Sequence, residues 1–235
     1  MELQEIMTQL ANFGSEQTKK ILLKHGAIEP LFGVKVADLK KVLKKTKTNH
    51  ELSLQLYDTG NFDAMYLAGL MADEKKISKT QLQQWVEKAN SQTHFEYTVP
   101  WISAETPYGF ELGLDWIESP KEAIAAAGWS TLSNWASLRP DSELDLKKYS
   151  ELLDLVGEKI HQAPNRVRYN MNGFVIAVGS YIPELTDKAK EIAHKIGKVA
   201  VEMNGTACKV PLATAYIQKV IDKNRVGKKR KKARC

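Results

Sequence analysis

Apolar residues return at intervals of three and four through most of this chain: Leu3, Ile6, Met7 and Leu10, then Leu39, Val42 and Leu43, then Leu82, Trp85 and Val86. That spacing lays one apolar stripe along a helix, so helices rather than strands are the building blocks. The pattern predicts helices over 2–13, 15–25, 36–47, 50–59, 61–72, 79–89, 94–104, 109–118, 120–137, 145–162, 165–181, 184–196 and 211–223. Capping boxes at Ser78-Lys-Thr-Gln81 and Ser119-Pro-Lys-Glu122 mark two starts, the second with proline at the first helical position. Gly14, Gly26, Gly60 and Gly197 fall where helices should end. Many helices with short links favour a solenoid of antiparallel pairs over one bundle. MYLAGLMAD, AAAGWSTLSNWA and NMNGFVIAVGSY faintly echo one another and mix small with apolar residues, as helices packed on both sides would.

One stretch departs from the helical pattern. Residues 198–210 alternate around Asn204-Gly205, a strong hairpin signal, and a two-residue turn there would pair Val201 with Cys208 and Val199 with Val210. That register buries the Cys208 thiol. The expected organisation is a single domain over 1–224, with a small β-hairpin at about 198–210, followed by a flexible basic tail over 225–235.

The composition, 43% hydrophobic and 26% charged over 235 residues, supports a packed core without staples. Two cysteines give no disulfide framework and favour a reducing compartment. No run approaches a membrane span, MELQEIMTQL does not read as a signal peptide, and a cysteine at the final position is not a prenylation box. A cytoplasmic protein, nucleoid-associated at most, is expected.

Charge is distributed in blocks. Residues 19–48 hold nine lysines against Glu29 and Asp38, residues 49–163 hold 18 acids against nine bases, and RVGKKRKKARC at 225–235 adds seven cations. Without that tail the chain has 27 bases and 28 acids, so the tail supplies its whole basic excess. Basic regions flanking an acidic middle suit an extended anion touched at separated places, although lysine-rich helix faces are also ordinary solvated surfaces.

The five histidines are scattered without zinc spacing, and GxxxxGK[ST], GxGxxG and GxSxG are all absent, so neither a metal nor a nucleotide cofactor is expected. Three basic or aromatic segments remain. FGVKVADLKKVLKKTKTNH places Lys35, Lys40, Lys41, Lys44 and Lys45 away from Leu39, Val42 and Leu43, where they could meet phosphates or simply water. PNRVRYNMNGF sets Arg166, Arg168, Tyr169 and Asn170 at a helix start, unfavourable for cations unless an anion sits opposite. That anion is either a phosphate or an acid from the middle of the chain. THFEYTVPWIS puts Glu96 among Phe95, Tyr97 and Trp101, a carboxylate able to stabilise an oxocarbenium-like sugar; the same pattern also reads as core.

FGVKVADLKK, the LYDTG junction, RVRYNMNGFVIAVGSYIPEL and GTACKVPLATAYIQKV with the closing basic run resemble the AlkD-like DNA alkylation repair superfamily over most of the chain. The resemblance implies a right-handed, C-shaped, all-α solenoid of HEAT-like helix pairs, with a concave basic groove for DNA. It implies metal-free and cofactor-free excision of N3- or N7-alkylated purines in the glycosylase members, whose carboxylate sits in a segment like Trp-Trp-Asp-x-Val-Asp. In one alignment Pro100 takes the place of that aspartate; in another Glu96 does, without its tryptophans. The family's later Gly-Trp is here Gly173-Phe174. Its additional arginine would fall in Ala125-Ala126-Ala127-Gly128-Trp129, which has none.

The resemblance therefore implies a DNA-binding branch for distorted or branched DNA with a degraded excision site. Glu96, Trp101 and Phe174 are the catalytic candidates if activity survives. Lys35, Lys40, Lys41, Lys44, Arg166, Arg168, Asn170, Lys228, Lys229, Arg230, Lys231, Lys232 and Arg234 are the DNA-binding candidates. A true alkylpurine glycosylase and a HEAT-like protein–protein scaffold are the alternatives. The hairpin would either probe DNA or cap the solenoid.

Overall fold

The computed structural model describes residues 1–234. They form thirteen α-helices: α1 (Leu3–Phe13), α2 (Glu16–Lys24), α3 (Val36–Thr46), α4 (His50–Asp58), α5 (Phe62–Met71), α6 (Lys79–Lys88), α7 (Val99–Glu105), α8 (Gly109–Ile117), α9 (Glu122–Leu138), α10 (Leu146–Lys159), α11 (Asn165–Tyr181), α12 (Thr186–Ile196) and α13 (Ala213–Asp222). A π-helical turn at His94–Thr98 leads into α7, and 3₁₀ turns lie at Asp141–Glu143 and Pro183–Leu185. No helix is long and apolar enough to cross a membrane among the described residues.

The architecture is a two-layered helical array. Helices α3, α5, α7, α9, α11 and α13 each touch the next in that series, and α4, α8 and α12 pack against them as partners. The three echoing segments are members of this series: every residue of α5 is buried, as are Ile124–Leu132 of α9 and most of α11. Small residues there let neighbouring backbones approach closely. Two large apolar clusters fill the interior, one built from α1 and α3–α9 and one from α9–α13, and they meet at α9, where Ile124 and Ala127 belong to the first and Trp129 and Leu132 to the second. Ala27, Leu31 and Phe62 form a small third cluster against Leu22 of α2.

The Ser78 capping box forms as expected, with Ser78 Oγ accepting from Gln81 N–H and Gln81 Oε1 accepting from Ser78 N–H. The Ser119 box does not form, and α9 starts only at Glu122. Glu122 is used elsewhere: its carboxylate accepts the N–H of Arg166 at 2.6 Å.

The β-hairpin at 198–210 is corrected, because no strand occurs among the described residues. The turn itself is present, with Asn204 and Gly205 both at positive φ and Thr206 N–H donating to the Met203 carbonyl. The next rung fails because Cys208 N–H goes to Thr206 Oγ1 instead of crossing to Val201. Asn165 also grips Glu202 through both its N–H and its C=O, fastening this arm to the start of α11. Cys208 is consequently exposed, not buried as the hairpin register required.

The basic tail is also corrected. It is packed along the body through residue 234 rather than free, while Cys235 lies outside the described residues. Gly227 N–H donates to Ser180 O and Arg230 N–H to Ser137 O. Lys229 Nζ donates to Tyr181 O and Ala136 O and pairs with Asp141 at 2.8 Å. Arg234 reaches the Leu70 and Ala72 carbonyls, Glu74 and Glu105. The tail thus crosses the C-terminal ends of α11, α9, α7 and α5 in turn. Unpaired carbonyls and the negative end of each helix dipole gather there, so lysine and arginine are the residue types that suit it. Gly227 is needed for this course: its φ is +74° and a Cβ would come within 2.7 Å of Pro183.

Candidate nucleic-acid interface and the Glu96–Arg166 pair

Pro100 shapes the segment that carries the candidate carboxylate. Proline has no N–H, so the carbonyl of Glu96 loses the donor four residues on. The backbone widens into the π turn, with Val99 N–H reaching back to His94 O, and the freed Glu96 carbonyl accepts the Ser130 hydroxyl of α9 at 2.6 Å. The turn is thereby pinned between α5 and α9.

The Glu96 side chain is 2% exposed and points at Arg166. Arg166 Nε donates to Oε1 at 2.6 Å and Nη2 to Oε2 at 2.7 Å, a two-point contact between planar groups. Arg166 also stacks its guanidinium over Tyr169, 4.4 Å from the ring centre, and directs Nη1 to Met203 Sδ. Asn170 Nδ2 donates to Arg166 O one turn along. Burial pushes the Glu96 carboxyl above its ordinary range while the Arg166 guanidinium pulls against it. Burial likewise opposes the charge on Arg166, which Glu96 restores. The anion facing the start of α11 is therefore the protein's own: Glu96 for the guanidinium and Glu122 for the backbone N–H.

Arg166 and Asn170, expected on a phosphate surface, are buried in this network, and Arg168 is half-buried with its Nε unpartnered. The three catalytic candidates are not brought together. Phe174 lies fully buried in the second apolar cluster, edge-on to Trp129 and stacked on Tyr149, and cannot wall a site. Trp101 lines a cavity of about 340 Å³ with Leu22, Val36, Phe62, Tyr66 and Tyr97, and the Glu96 side chain does not line it. One wall of that cavity is held by Asp63, whose carboxylate accepts the N–H groups of Phe32, Gly33 and Val34.

His94 stands on the other side of the π turn. Its Nδ1 lies 2.9 Å from both Ser91 Oγ and Asn90 Oδ1, and its Nε2 lies 3.1 Å from Phe62 O. Burial depresses its pKa from 6.5 to about 4. Between these values the unfolded chain binds the proton more tightly than the folded one, so stability is fully present above pH 6.5 and lost as pH falls toward 4. The loss is about 3 kcal/mol at most. Chemical denaturation at pH 7 and pH 4 should show a pH-dependent drop that shrinks in His94→Gln; an equal drop in both proteins would remove His94 as its source.

Apart from Lys41, the lysines in and just before α3 stand free of such internal use. Lys35, Lys40 and Lys44 are exposed and form no ion pair among the described residues, whereas Lys41 pairs with Asp38 at 2.7 Å and lies 5.8 Å from the Phe13 ring centre. In the tail, Lys228, Arg230, Lys231 and Lys232 are exposed, and Lys229 and Arg234 are bound into the body. Glu74, Glu105 and Glu122 were missed in the sequence. The block of acidic charge was visible, but nothing showed which acids would meet which basic residues.

Residues 6–198 match the family model for DNA alkylation repair enzymes. The uncharacterized protein Lmo0209 of Listeria monocytogenes is 33% identical over 220 residues, covering 92% of this chain and 95% of the relative. Lin0241 of Listeria innocua is 33% identical over 227 residues, covering 94% and 97%. Among solved structures, one from a new family of proteins related to the HEAT-like repeat DNA glycosylases, with affinity for branched DNA structures, superposes with a TM-score of 0.92 at 36% identity and full coverage of both chains.

Proposed function

The chain belongs to the DNA alkylation repair enzyme family, and from that premise we propose that it binds distorted or branched DNA without excising bases. The observation that carries this reading is the closed Glu96–Arg166 pair. A carboxylate that stabilises a sugar cation must face the substrate with its charge uncommitted. Both Glu96 oxygens accept from one guanidinium inside the core, and the side chain is 2% exposed. The DNA-binding half of the reading draws on the solved relative with affinity for branched DNA and on the uncommitted lysines of α3.

The test is a binding panel of linear, nicked, forked and four-way DNA over a range of salt, run beside a base-release assay on methylated duplex. Four-way or forked DNA should bind more tightly than linear duplex, and no methylated purine should be released at enzyme excess. Lys40→Gln/Lys41→Gln/Lys44→Gln should weaken binding to every DNA and flatten the salt dependence by about 0.9 log unit for each phosphate that these lysines neutralise. Purine release that disappears in Glu96→Gln would overturn the reading in favour of a glycosylase. Failure to retain any DNA at low salt would point to a protein–protein scaffold.

A further inference from the structure

The docked tail creates a second basic feature far along the array from α3. A cavity of about 470 Å³ opens between α11, α13 and residues 225–230. Lys219, Lys223, Arg225, Lys228 and Arg230 line it together with Lys229, which is already paired with Asp141, and no acidic residue does. None of the first five forms an ion pair among the described residues, in contrast to Lys229 and Arg234 of the same tail. Ser180 also lines the cavity; it is 5% exposed and its hydroxyl has no hydrogen-bond partner.

Two features here work against the folded protein. Five like charges around one cavity repel one another, and the tail's docking holds three of them beside Lys219 and Lys223. A buried hydroxyl left without a partner loses its hydrogen bond to water with nothing in return. A phosphate relieves the first, because its oxygens accept from lysine and arginine groups alike. The Tyr181 carbonyl at the negative end of α11, which would repel such an anion, is already bound by Lys229.

We infer that this cavity is a phosphate-binding site for the backbone of a DNA strand, receiving an arm other than the one lying on α3. The inference rests on the DNA-binding reading above and extends it. Helix α3 packs in the first apolar cluster and α13 in the second, so the two basic surfaces stand at opposite ends of the array. One straight duplex need not satisfy both, whereas a branched DNA can offer a separate backbone to each.

The experiment uses the full chain and a Lys219→Gln/Lys223→Gln/Arg225→Gln variant. All three positions are exposed and none anchors the tail, so an unchanged melting temperature is expected. Four-way DNA affinity should fall at least tenfold, and its salt slope should flatten by about 0.9 log unit for each of the three cations removed. Affinity for a short linear duplex should change less than twofold, in contrast to the α3 variant, which weakens both. Wild-type affinity and slope for four-way DNA in the cavity variant would overturn the inference while leaving the DNA-binding reading intact. A wild-type protein that binds neither DNA would overturn that reading itself. Inorganic tripolyphosphate, titrated by calorimetry without DNA, separates the remaining source. If the variant no longer binds it but keeps four-way DNA, the cavity is a free-anion site and the assignment to a strand is wrong.

Discussion

Replacing Arg234 by alanine should cost about 3–5 kcal/mol of stability, the range for removing one partner of a buried ion pair. The side chains of Arg234 and Glu105 are each 8% exposed. Arg234 Nε and Nη2 donate to Glu105 Oε2, Nη2 also reaches Glu74 at 2.6 Å, and Nη1 donates to Ala72 O at 2.6 Å. Glu105 in turn accepts the backbone N–H groups of Ala233 and Arg234. Alanine would strand Glu105 beside the carbonyl ends of α5. In a chain of this length the loss corresponds to a fall in melting temperature of roughly 10 °C. Lysine should recover little of it, because a single ammonium lacks the planar fork that serves two carboxylates and a carbonyl together. Lys232→Ala, at an exposed residue two positions away, should melt like the wild type. A flexible tail would make Arg234→Ala equally silent, so a shift below about 2 °C, less than 1 kcal/mol here, would contradict the docked course of residues 225–234.

Arg166→Met should be similarly damaging, at about 3–5 kcal/mol, because it leaves Glu96 buried without its counter-charge. Glu96→Leu should cost a comparable amount by isolating the guanidinium. The informative protein is Glu96→Leu/Arg166→Met, in which neither charge remains to be desolvated. Apolar replacements of a buried pair are often neutral or stabilising, so the double variant should recover most of either single loss. The Ser130 bond to the Glu96 carbonyl belongs to the backbone and survives the exchange. Urea denaturation of all four proteins closes the cycle. Single losses that simply add in the double variant would mean that the two side chains do not interact, contrary to the 2.6 and 2.7 Å hydrogen bonds between them.

The helices were legible because their determinants are local. Ser78 and Gln81 cap the start of α6 within one turn, and Gly197 ends α12 with φ at +54°. The burial of α5, α9 and α11 also showed in their small, apolar composition. The Asn204-Gly205 turn was legible for the same reason, but the ladder beyond it was not. Its rungs compete with Thr206 Oγ1 inside the segment and with Asn165, a residue 37 positions away from Glu202.

Charge was legible only as blocks. The placement of Glu96 and Arg166 raised two readings, a phosphate site or an internal pair, and only packing chose between them. Phe174 shows the same limit from the apolar side, since an aromatic residue after glycine reads identically whether it walls a cleft or fills a core.

By itself the sequence determined the helical period, most helix ends, the small-residue faces and the concentration of positive charge at the C-terminus, because each depends on residues within about one or two turns of each other. Tertiary structure decided the rest. It set Glu96 against Arg166, 70 positions apart, and Arg234 against Glu105, 129 apart. It also laid a tail that reads as a free arm across the C-terminal ends of four helices. An ion pair has no sequence period, and desolvation selects its partners only once the packed interior exists.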